Sequence, residues 1–115
     1  MIEVKGEIKE GIDRGSYVKF PIFEGELPEG SYVQVVEIKP RSKVGKHYHK
    51  FQYEVFYIIK GNARLGIGGE EYDARPGDIF LVKPGTVHWV INDSEEPFKL
   101  LVVKLNFRGD DTVWL

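Results

Sequence analysis

Three histidines and one glutamate carry the most specific chemistry this chain can offer. His47 and His49 flank a single residue, and Glu54 follows five positions after the second. Side chains alternate along an extended strand, which puts both imidazoles on one face, roughly 7 Å apart along the backbone. Two imidazoles with a nearby carboxylate form a donor set for a divalent transition metal. The third histidine, His88, lies far downstream in Lys83-Pro84-Gly85-Thr86-Val87-His88. The expectation is that the fold returns it to the same metal. Fe, Mn, Ni, Co, Cu and Zn all accept such ligands, and ligand type alone does not choose among them. The chain has no cysteine, which excludes thiolate ligands and disulfides.

The elements that must position these residues read as short β-strands. Thirteen glycines and six prolines punctuate runs rich in Val, Ile, Phe and Tyr, with no sustained helical stripe. Strands are predicted over Tyr17–Phe23, with Pro21 favouring an edge, and over Ser31–Lys39, which Pro40 stops. Further strands are predicted over 54–60, 63–67, 70–75, 78–82, 88–91 and 98–107. Gly68-Gly69 marks a hairpin, because primed turns need positive φ. Arg41 to Lys46 reads as a loop leading into the histidines. Asp110 and Asp111 read as solvated, and Val113 and Trp114 as a tail that docks. About ten short strands in one domain, residues 1–115, must close into a barrel or pack as two sheets. Either way alternate residues line an interior, and His88, Val90 and Asn92 share a face.

Composition bounds the function. A chain of 115 residues can bury about two thirds of its unfolded surface. The net charge of −2 argues against a general affinity for nucleic acid or an anionic membrane. No apolar run approaches the ~20 residues of a membrane helix. Met1-Ile2-Glu3-Val4-Lys5 lacks the apolar core of a signal peptide, so a cytoplasmic location is expected.

The spacing of the histidines resembles that of a small single-domain cupin over most of the chain. The first cupin motif is matched by His47, Tyr48, His49, four residues, Glu54, six residues and Gly61. The second is matched by Gly77, Pro84, Gly85, His88 and Asn92. Two positions depart from the pattern: Arg41 stands where the first motif opens with glycine, and Lys83 where the second has its first proline. Neither position holds a ligand in the family. The resemblance implies an all-β, double-stranded β-helix (jelly-roll) barrel, with His47, His49, Glu54 and His88 as metal ligands. It further implies a homodimer and a small-molecule ligand or substrate.

Around these ligands, Phe51, Tyr53, Phe56 and Trp89 are candidate walls of a substrate pocket, against the plainer reading of core packing. Arg41, with Lys43, Lys46 and Lys50, is a candidate rim for an anionic group. The cupin resemblance implies metal-dependent chemistry on a small molecule. Every histidine is assigned to the metal, so no spare imidazole remains as a general base. That favours dioxygenase-like chemistry over a sugar or sugar-phosphate isomerase. A non-catalytic module that binds or senses a small ligand is the alternative from another class.

Overall fold

The computed structural model describes residues 4–115; Met1 to Glu3 of the N-terminal stretch lie outside the described residues. Eleven strands follow in chain order: β1 (Ile12–Asp13), β2 (Tyr17–Ile22), β3 (Tyr32–Ile38), β4 (Ser42–His49), β5 (Tyr53–Lys60), β6 (Ala63–Ile67), β7 (Glu70–Ala74), β8 (Ile79–Val82), β9 (His88–Asn92), β10 (Phe98–Leu105) and β11 (Thr112–Trp114). They form two antiparallel sheets, one ordered β1-β2-β3-β10-β5-β8 and the other β11-β4-β9-β6-β7. This is a double-stranded β-helix. No helix among the described residues is long and apolar enough to cross a membrane.

Alternation explains the core. Phe56 and Ile58 on β5, Leu65 on β6, Val82 on β8, Val90 on β9, and Phe98, Leu100 and Val102 on β10 are buried between the sheets. Each fully buried Leu, Ile or Phe contributes roughly 1.5–3 kcal/mol of transfer free energy. The opposite parity faces outward. On the β5–β8 side this leaves Tyr53, Tyr57, Ile59, Ile79 and Leu81 exposed.

Turn chemistry follows the glycines where geometry demands it. Gly61 has φ of 82°, and a Cβ there would sit 2.4 Å from the Pro97 carbonyl oxygen. Asn92 fastens the 92–96 turn: its Nδ2 donates to the Ile38, Lys39 and Glu96 carbonyls. Its Oδ1 accepts from Ser94.

Two segments depart from the sequence reading. The basic run from Ser42 onward is strand, not loop. Ser42, Lys43 and Val44 pair with Asn92, Ile91 and Val90 of β9, so a partner strand overrides the weak β-propensity of Lys and Gly. The register then shifts between Val44 and His47. Three steps on β4 match two on β9, which is a β-bulge. The bulge lets Val44 and His47 both face inward although they differ in parity. The second departure is Asp111, which is buried rather than solvated. Its Oδ2 accepts the backbone N–H groups of Phe51 and Gln52 at 2.9 and 3.0 Å.

Candidate metal centre and cavity

At one end of the apolar core the inward positions become polar. His47 and His49 end β4, His88 opens β9, and Glu54 stands second on β5. His47 lies directly opposite His88 in the register. All four side chains are buried. The three histidines place ligand atoms within 4.8 Å of one another, an arrangement that could hold a metal. Glu54 joins them from the other sheet. Its Oε1 lies 2.7 Å from His49 Nε2 and 3.2 Å from His88 Nε2.

The far side of each ring is tied down. His47 Nδ1 donates to the Gly45 carbonyl at 2.8 Å, and His88 Nδ1 to the Thr86 carbonyl at 3.0 Å. A carbonyl only accepts, so these two bonds put the proton on Nδ1 and leave the Nε2 lone pair free. His49 Nδ1 is hydrogen-bonded to Thr112 Oγ1 at 2.9 Å, with Asp111 Oδ1 3.7 Å from the same nitrogen; when Nε2 faces a metal, Nδ1 carries the proton and Thr112 Oγ1 accepts it. Trp114 packs on His47 with ring centroids 4.5 Å apart. Such outer partners orient the ligands of metal sites.

The inner atoms are left over. His49 Nε2, His88 Nε2 and Glu54 Oε1 are buried without a hydrogen-bond partner, because the close N···O approaches are misaligned for one. Buried polar atoms are normally satisfied, and a cation among these donors would satisfy all three. Electrostatics agree. Burial, reinforced by the neighbouring His88, pushes His47 down to about 4, so it is neutral at pH 7 as a ligand must be. Burial alone would raise Glu54, but the adjacent His49 and His88 imidazoles outweigh it and hold the carboxyl below its usual range.

The site opens into a cavity of about 130 Å³, walled by Val36, Val44, Phe56, Val90, Leu100 and Val102. Phe56 is the one candidate pocket residue from the sequence that lines it. Arg41 is exposed and pairs with Glu95. Its φ is 57°, which explains why the cupin motif carries glycine there. Phe51 and Tyr53 are exposed, Tyr53 because it has the parity opposite to Glu54. Trp89 lies opposite Gly66 in the register, and a Cβ on Gly66 would sit 1.9 Å from the Trp89 ring, so Trp89 covers the outer face of its sheet. Lys46 Nζ lies over that ring at 4.8 Å.

Residues that the sequence reading missed are Lys104, Gln34, Tyr17, Thr112 and Trp114 in the cavity wall, and Asp111 behind His49. Lys104 and Gln34 carried a legible signal. Each is a polar residue on the inward parity of an apolar strand, with Leu100 and Val102 or with Val36 and Ile38. Asp111 and Thr112 carried none, because short polar tails look alike whether docked or free.

Residues 34–104 match the family model described as the cupin domain. Quercetin 2,3-dioxygenase of Bacillus subtilis is 31% identical over 61 residues, covering 52% of this chain and 18% of that protein. Glucose-6-phosphate isomerase of Pyrococcus abyssi is 31% identical over 102 residues, covering 76% of this chain and 54% of that protein. The chain thus spans at most about half of these curated relatives. Among solved structures, an uncharacterized conserved protein with a double-stranded β-helix domain from Klebsiella pneumoniae superposes with a TM-score of 0.73. It is 25% identical, with 90% of this chain and 87% of that one covered.

Proposed function

The chain belongs to the cupin family, and from that premise we propose that residues 1–115 form one cytoplasmic domain. In this reading it is a metal-dependent enzyme acting on a small molecule by dioxygenase-like chemistry. His47, His49, Glu54 and His88 hold a divalent transition metal, whose identity among Fe, Mn, Ni, Co, Cu and Zn the donor set leaves open. The observation that carries this reading is the three buried inner atoms without partners, two of them on histidines whose outer nitrogens are already engaged. When bound, the metal supplies Lewis acidity and, if redox-active, one-electron chemistry.

The protein's own groups do the rest. Neutral His47 remains a ligand through the physiological range. Val44, Phe56, Val90, Leu100 and Val102 exclude water from the reacting atoms. At roughly 30 Å³ per water, the cavity has room for about four, which favours a substrate of few heavy atoms, or one end of a longer one. Similarity to a glucose-6-phosphate isomerase favours a second reading, isomerisation of a sugar phosphate. The size of the cavity and the lack of a spare histidine weigh against it. The exposed Tyr57, Ile59, Ile79 and Leu81 face supports assembly as a homodimer.

Elemental analysis of purified protein with His49→Ala tests the metal. The wild type should carry about one ion per chain and the variant none. If the wild type binds none of the six metals, the reading falls. An oxygen-consumption screen of the loaded protein against catechols, thiols and diketones then separates an oxygenase from a ligand sensor, which would consume none.

A further inference from the structure

The cavity carries more positive charge than its metal ligands account for. Lys104, the last inward position of β10, lines it and lies opposite Glu54 in the register. Its ammonium rests over the Phe107 ring at 5.6 Å. Gln34 on β3 lines the same wall, opposite Val102 and thus diagonal to Lys104. Lys19 on β2 lies opposite Val36, so it stands on the same inward face of the sheet, flanking the cavity without lining it. Burial first, then Arg14 and Lys104, lower the Lys19 ammonium below its ordinary value, so the two lysines sense each other. Among the described residues neither lysine has a carboxylate within ion-pair distance. Glu54 is the nearest claimant on Lys104, but a bound cation would take up that carboxylate. With a dication in place, the two lysines and the metal outweigh Glu54 and Asp111 by two charges. Like charges gathered without a counter-ion in a partly buried wall are unfavourable unless an anion neutralises them.

We infer that Lys104, Lys19 and Gln34 form an anion subsite that receives the carboxylate of a small organic acid, preferably a dianion, beside the metal. This rests on the metal reading above for the position of the ligand's other end. Lys104 and Lys19 supply charge-assisted donors, and the amide of Gln34 supplies one neutral donor. The free space of about 130 Å³ favours a carboxylate of few carbons seated wholly inside over a sugar phosphate, of which only one end would enter.

The test is calorimetric titration of the cobalt-loaded whole chain with malonate. Lys104→Met and Lys19→Met should each weaken malonate at least about tenfold, with cobalt affinity and circular dichroism unchanged. Lys60→Met, on an exposed strand end, should bind as the wild type does. Propionate should bind more weakly than malonate, and neutral malonamide should not bind. Unchanged malonate affinity in both lysine variants, or equal binding of malonamide, overturns the subsite. Phosphate binding as tightly as malonate overturns the assignment to carboxylates. If the wild type takes up neither cobalt nor any of the other five metals, the metal reading fails alone. Malonate titration of the metal-free protein then decides the subsite, since its dependence on the two lysines must persist there.

Discussion

Thr112→Val removes one oxygen from the molecule and should act almost wholly on the metal-bound state. Valine preserves the shape of the side chain, so the pairing of Thr112 with His49 across β11 and β4 survives. What is lost is the acceptor that holds the His49 Nδ1 proton at 2.9 Å. In metal-free protein the imidazole can shift its proton to Nε2, where the Glu54 carboxylate at 2.7 Å attracts it electrostatically although the pair is not aligned as a hydrogen bond, and relieve part of the loss. A bound metal forbids that, because it needs the Nε2 lone pair, and Nδ1–H is left buried without a partner. Leaving a buried donor unsatisfied costs about 1–3 kcal/mol. Loss of an outer partner of a ligating histidine typically costs roughly 10–100-fold in metal affinity. The assay is competition for zinc against a chromophoric chelator, beside thermal melting of the metal-free protein. The expected result is an affinity lower by about one to two powers of ten. Metal-free melting should shift by only a few degrees, and Thr112→Ser should restore binding. An affinity within threefold of wild type, or a metal-free protein destabilised as much as the metal-bound one, refutes the reasoning.

Arg41→Gly should stabilise the fold. Relief of a left-handed residue is worth roughly 1–2 kcal/mol, the added chain entropy costs about 0.5–1, and the exposed Glu95 pair is worth little. Thermal melting should rise by a few degrees; a fall counts against it. Gly66→Ala should destabilise by about 1–3 kcal/mol, because its Cβ meets the Trp89 ring, while metal affinity stays unchanged. Urea denaturation and chelator titration read the two effects separately. Acid should weaken the metal-free protein through His47. Its folded value is about 4 against an ordinary 6.5, so between those values the unfolded chain takes up a proton that the folded one refuses. Stability is therefore complete above pH 6.5 and declines as the pH falls toward 4. Denaturant midpoints at several pH values should show this slope, and His47→Gln should flatten it.

The parts of this fold that were legible are those where local chemistry and tertiary structure agree. The hairpin at Gly68-Gly69, the stop at Pro40 and the apolar alternation of β5 and β10 needed no partner to be read. Parity about Glu54 and His88 placed Phe56, Val90 and Asn92 on the inward face; Tyr53 and Trp89, read as candidate walls, have the opposite parity and lie outside the cavity. Counting parity back from His47 fails at the bulge, because the inserted residue reverses the face of everything before it. The first half of β4 failed for a related reason: Lys43, Gly45 and Lys46 have no intrinsic preference for a strand and adopt one because β9 is beside them. The outer partners of His49 were illegible, since Asp111 and Thr112 act 62 and 63 positions away along the chain.

That separation has a kinetic side. The site is finished only when β11 reaches β4, one of the long-range closures that folding makes slowly. The strand is three residues long and joins sheet order at an edge, through Thr112, Val113 and Trp114 against His49, Tyr48 and His47. Short edge elements open locally at a small fraction of the global free energy. Each opening frees His49 Nδ1 and lifts Trp114 from His47. The lifetime of any ion held there should follow the fraying of this one strand, and protection of the Lys50 and Leu115 amides against hydrogen exchange should rise and fall with it.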